Sequence, residues 1–290
     1  MAQGATTTTR RQEHYAVPAP MPWPIMGSTA LFLMALGAVF VFNGMNGGWV
    51  SIAAGFILLL YMMFRWFGDV IRESEGGKYG KWEDVSFRWG MSWFIFSEVM
   101  FFAAFFGALF YTRVFSVPDL ASLTHKELLW PGFEGHWPSA GPAFEEKFTP
   151  MAAWGIPAIN TLLLLSSGVT VTIAHWALKE NRRGMLNLFL FFTIVLGVIF
   201  LGLQVYEYGH AYSDLNLKLS TGAYGSTFFM LTGFHGFHVT VGAIMLTVIL
   251  LRCLAGHFKP DHHFAFEGVA WYWHFVDVVW LGLFIFVYWL

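Results

Sequence analysis

The chain has 290 residues, 57% of them hydrophobic and only 12% charged, against roughly 25% charged in a soluble domain; composition alone excludes a water-soluble globule and points to a polytopic membrane protein. A formal net charge of −2, carried in short clusters between apolar runs, gives no basic patch and argues against a nucleic-acid partner. The single cysteine, Cys253, excludes an internal disulfide framework or a multi-cysteine metal site and reads as a buried apolar thiol.

Residues 1–24, "MAQGATTTTRRQEHYAVPAPMPWP", are rich in Thr and Pro and hold no apolar core of signal-peptide length, so they are expected to remain as an extended tail. A helix crossing ~30 Å of hydrocarbon needs about 20 mainly apolar residues. Seven segments qualify, at 25–43, 49–67, 87–112, 152–178, 185–207, 223–253 and 265–289, and the predicted fold class is all-α with seven transmembrane helices. With the N-terminus inside, 12 of the 16 Lys and Arg fall on the inner side and only Arg113, Lys126, Lys147 and Lys218 on the outer. That is a positive-inside distribution, and an odd number of spans puts Leu290 outside.

The charged, Gly-bearing stretch at 72–86 divides a two-helix bundle, 25–71, from a five-helix bundle, 87–290, and could hinge between them. Residues 116–150 form a long Pro-rich segment expected to run along the outer surface, and loops of such length are usually functional or partner-bound. Trp49, Trp66, Trp82, Trp154 and Trp289 lie near span ends, as interfacial tryptophans do. No repeat of 20 to 50 residues is visible.

The polar groups inside the spans are few. "FIFSEVMFF" sets Glu98 in the third span without a cation within nine positions. Desolvation disfavours the charged form, so a neutral Glu98, beside Ser97 and needing only hydrogen-bond partners, is expected. Ala103, Ala104, Gly107 and Ala108 on that span, and Gly233, Gly236 and Gly242 on the sixth, have spacings that let helices approach closely. In the fourth, "NTLLLLSSGVTVT" offers Ser166, Ser167, Thr170 and Thr172 to neighbouring helices or to their own backbone.

"GFHGFHVTVG" places His235 and His238 three apart on one helical face, a spacing that suits a metal or haem. Such a site needs further ligands, and His175, His210 and His274 sit near span ends or alone. The favoured expectation is therefore no metal here, with the two imidazoles bonded to Ser, Glu or backbone groups; a haem site is the alternative. In "KPDHHF", His262 and His263 read as surface or headgroup contacts. On the last span Glu267 and His274 share a face, and His274 can pair with Asp277.

Four stretches, "WFGDVIRES", "RWGMSWFIFSEVMFF", "YGSTFFMLTGFHGFHVTVGA" and "HHFAFEGVAWYWHFVDVVWL", closely resemble signature segments of cytochrome c oxidase subunit III. The resemblance runs from about Pro22 to the C-terminus, residues 116–150 excepted. It implies helices 1–2 splayed from helices 3–7 in a V whose cleft holds phospholipids, and a subunit without redox centre that packs on subunit I. Haems and copper would lie in subunits I and II, with small subunits as further neighbours. The implied roles are lipid binding, support of proton uptake and protection against turnover inactivation during reduction of oxygen to water.

By the same resemblance, the lipid-contact positions are Trp66, Arg72, Glu73, Glu98 and Arg252, whose charged groups can meet phosphate or amine heads. The family's frequent "WWRDVIRES" is here altered at Phe67 and Gly68, which puts one headgroup contact in question. The length of 116–150 suggests a bacterial inner membrane. A quinol-oxidase branch and a stand-alone transporter, with Glu98, His235 and His274 as a proton relay, are the alternatives.

Overall fold

The computed structural model describes residues 20–144 and 147–290, so the expected tail falls almost wholly outside the described residues. The fold is all-α, with no strand among those residues. Seven helices are long and apolar enough to cross a membrane. They are α1 (Trp23–Phe42), α2 (Gly48–Glu75), α3 (Lys81–Tyr111), α6 (Ile156–Lys179), α7 (Arg183–Ser213), α8 (Gly222–Leu254) and α9 (Phe264–Leu283). Two short helices, α4 (Val117–Leu120) and α5 (Leu123–Leu128), follow α3.

Two expected loops are shorter than anticipated. The segment 72–86 is mostly helical: α2 continues through Glu75, stops at Gly76 and Gly77, the latter at φ +69°, and α3 begins at Lys81. Glu83 then accepts a 2.8 Å bond from the Gly80 backbone N–H, the reach-back of a helix's third residue to its cap. Likewise α3 does not give way to loop near residue 112. It passes through a π-helical turn, Thr112–Ser116, into α4. A second π-helical segment, Phe284–Trp289, extends α9.

The chain forms two compact units, residues up to Phe87 and Arg88–Leu290. In the first, α1 and α2 pack as a hairpin. A Cβ on Gly55 would stand 2.6 Å from the Ala30 carbonyl oxygen, so only glycine allows this approach. Ser51 donates to the Leu33 carbonyl (2.7 Å) and the Trp23 indole to Asp69 (2.9 Å). Large apolar side chains such as Phe32, Val50 and Phe64 point outward, as a lipid-facing hairpin requires.

In the second unit α6 packs on α7, α7 on α8, α8 on α9, and α9 closes back on α6. Lipid gives no hydrophobic drive for this, so close packing and polar contacts must supply it. Trp273 and Trp280 are fully buried at the centre. The Trp273 indole N–H donates to Ser167 (2.8 Å), and that of Trp280 to Thr161 (2.9 Å). Thr170 and Thr193 join α6 to α7 at 2.8 Å. These are the helix-to-helix bonds expected of the polar run in α6.

A Cβ on Gly197 or Gly242 would come within 2.7 or 2.8 Å of the Trp273 ring. Of the glycines singled out from sequence, Gly242 thus admits a neighbour. Gly107 and Gly236 have nothing within 4 Å of an added Cβ, so no neighbour requires glycine at either position. From α3, Phe102 meets Phe275 at 6.1 Å and Phe105 meets Phe234 at 5.1 Å, which seats α3 on α8 and α9.

Candidate functional site

Glu98 lies on the α3 face turned to α8, where its carboxylate stands 2.8 Å from His238 Nε2. The acid finds the hydrogen-bond partner it was expected to need in a residue 140 positions away, while the neighbouring Ser97 hydroxyl donates to the Phe94 carbonyl. The other imidazole nitrogen, Nδ1, is 2.7 Å from the Phe234 carbonyl oxygen. A carbonyl only accepts, so Nδ1 carries a hydrogen. The Glu98–His238 contact then holds one proton, on the carboxyl or on Nε2. Aromatic rings of Phe101, Phe102 and Tyr272 surround the imidazole, while the Glu98 side chain stays partly exposed.

His235 does not share in this network. It is buried, packs against Trp280 (5.2 Å) and Phe200 (5.8 Å), and neither ring nitrogen has a hydrogen-bond partner among the described residues. The expectation of a bonded imidazole pair therefore holds for His238 and fails for His235. The two side chains leave α8 toward different neighbours, because three positions on a helix are still about 60° apart.

On α9, His274 Nδ1 is 3.5 Å from Asp277 Oδ2 and its Nε2 is 3.3 Å from the Thr172 hydroxyl; the local pair is formed and tied to α6. Glu267 turns elsewhere, to Arg88 at 2.6 Å. His263 is buried, not at the surface as expected, and faces His175 with Nε2 atoms 3.2 Å apart. The loop before α9 brings them together: Arg183 donates to the carbonyls of His257 (2.7 Å) and Phe258, the latter residue at φ +65°. Arg183→Ala removes two charge-assisted bonds worth about 1.5–3 kcal/mol each, and amide hydrogen exchange across 255–263 should quicken accordingly.

One carboxylate was missed. Glu207 on α7 is buried and accepts from the Tyr288 hydroxyl (2.6 Å) and the Gln204 amide (3.5 Å). The signal was present as the lone acid of "LQVYEYGH", at the boundary assigned to the fifth span.

The positions expected to meet lipid divide between the units. On α2, Trp66 stacks on Phe67 at 5.8 Å, the departure from the family's indole leaving a ring-on-ring face. Arg72 is exposed and paired with Asp69 one turn back. Glu73 accepts from Tyr79 (2.8 Å) and Lys78 (3.2 Å); burial and this bond push the Tyr79 hydroxyl up to about 12. In the second unit Arg252 lies over the Phe258 ring at 4.2 Å, with its Nε 3.4 Å from His257. Cys253 beside it is buried and free, as expected.

A family model for cytochrome c oxidase subunit III matches residues 13–290. The chain is 43% identical over 272 residues to "Cytochrome c oxidase subunit 3" of Chondrus crispus, covering 93% of this chain and 91% of that protein. Identity to the like-named protein of Latimeria chalumnae is 42% over 278 residues, with 95% and 96% covered. For that of Hippopotamus amphibius it is 40% over 284 residues, with 97% and 98% covered.

Proposed function

Because the chain belongs to the cytochrome c oxidase subunit III family, we propose that it serves as the accessory, non-redox subunit of a proton-pumping cytochrome c oxidase. In this reading it packs chiefly against subunit I, while subunits I and II hold the haems and copper that reduce oxygen to water. The observation that carries the reading is the family match over residues 13–290.

Bound phospholipid is part of the proposal. Trp66, Arg72 and Glu73 stand together within two turns near the end of α2, where an exposed guanidinium can bond a phosphate beside an aromatic ring suited to the interface. Glu98 and Arg252 supply the further contacts. The charge asymmetry of the connections supports an N-terminus on the inner side. Support of proton uptake and resistance to inactivation during turnover would follow from keeping the neighbouring subunit's proton entry ordered.

The test is purification of the tagged chain in mild detergent, with metal, haem and lipid analysis of what accompanies it. Haem- and copper-bearing subunits and retained phospholipid are the expected result. A chain that emerges alone, or with haem bound stoichiometrically to itself, would overturn it.

A further inference from the structure

We propose that His175, His263 and Glu267 form a binding site for one divalent cation of the zinc class, joining the end of α6 to the start of α9. His175 sits in the last turns of α6, His263 immediately precedes α9, and Glu267 lies in the first turn of α9. One ligand atom from each lies within 4.8 Å of the others.

The two histidine Nε2 atoms face each other at 3.2 Å. Zinc with Zn–N bonds of ~2.0–2.1 Å in tetrahedral geometry requires neighbouring ligands ~3.3 Å apart, so the imidazoles already stand at the edge length of such a site. His263 Nδ1 is 3.2 Å from the Lys259 carbonyl oxygen. That bond keeps the hydrogen on Nδ1 and leaves the Nε2 lone pair directed at His175, the tautomer a metal-binding imidazole needs. Arg88 holds one oxygen of Glu267 at 2.6 Å, which orients the carboxylate and leaves its second oxygen for the ion.

Imidazole and carboxylate donors together suit zinc among the divalent ions, and magnesium or calcium poorly. His263 is buried and the other two ligands half-buried, so a fourth position remains for water, as in sites with three protein ligands. The Arg88 and Lys179 cations oppose a further positive charge and set the affinity below that of a closed structural zinc site. An ion here would add a cross-link between two helices that already pack on one another at this end, where His175 meets Phe266 at 5.5 Å.

The test uses the purified membrane complex containing the chain, stripped with chelator, loaded with zinc chloride and desalted. Zinc analysis should find about one more ion per wild-type chain than in the His175→Ala/His263→Ala variant. Glu267→Gln should weaken retention about tenfold or more. X-ray absorption at the zinc edge of the wild-type complex, which does not depend on any variant assembling, should show imidazole nitrogens at ~2.0–2.1 Å, and anomalous density should fall at these three residues. Equal zinc in wild type and double variant, or anomalous density confined to other sites, would overturn the proposal.

Discussion

Trp273→Ala is expected to lower the stability of the second unit by about 3–5 kcal/mol, the cost of emptying a buried indole site. The site cannot collapse to reduce that cost. Ser167 on α6, Gly197 on α7 and Gly242 on α8 each contact this one ring, so its removal leaves a void bounded by three helices, and Ser167, which still donates to the Leu164 carbonyl, loses its donor. Gly197→Ala and Gly242→Ala attack the same ring from two helices, each by overpacking worth about 1–3 kcal/mol. Since both displace one indole, the double variant should fall short of the sum. Thermal unfolding in detergent, read against retention of the chain in its complex, checks both statements. A Trp273→Ala protein as stable as wild type would remove the indole from the centre of the packing.

Glu98→Gln should be nearly neutral and Glu98→Leu costly. The glutamine amide can donate to His238 Nε2 across the present 2.8 Å contact, keeping both groups satisfied. Leucine leaves the imidazole nitrogen without its partner, a loss of about 1–3 kcal/mol for a buried polar group. The two variants also separate structure from chemistry, because only the acid can exchange a proton with the imidazole. If Gln and Leu destabilise equally, the hydrogen bond contributes nothing; if Gln alone abolishes assembly, the carboxylate is needed as an anion. Lipid content of the purified complex should be unchanged in Glu98→Gln.

The spans were legible because apolar length is a property of consecutive residues, and the polar positions because each interrupts such a run. Partners were not. Glu98 and His238 are 140 positions apart and His175 and His263 are 88 apart, distances over which spacing carries no information. The burial of His263 could not be read from "KPDHHF" because it depends on Arg183, which pins the preceding turn from another helix. Gly197 resembled any glycine of a membrane helix until Trp273 was seen against it. The acid in "LQVYEYGH" was visible, but only the fold supplies the tyrosine that makes its burial tolerable.

That tyrosine depends on how the last helix ends. Trp280 and Tyr288 are eight residues apart, which in a regular α-helix would turn them about 80° from one another. The π-helical winding from Phe284 to Trp289 takes roughly 4.4 residues per turn and undoes most of that angle. The rings consequently meet at 5.9 Å, and the phenol reaches Glu207. The final turns of the chain thus act as a vernier. A small change of pitch, not a change of residue, decides whether the acid on α7 finds its donor.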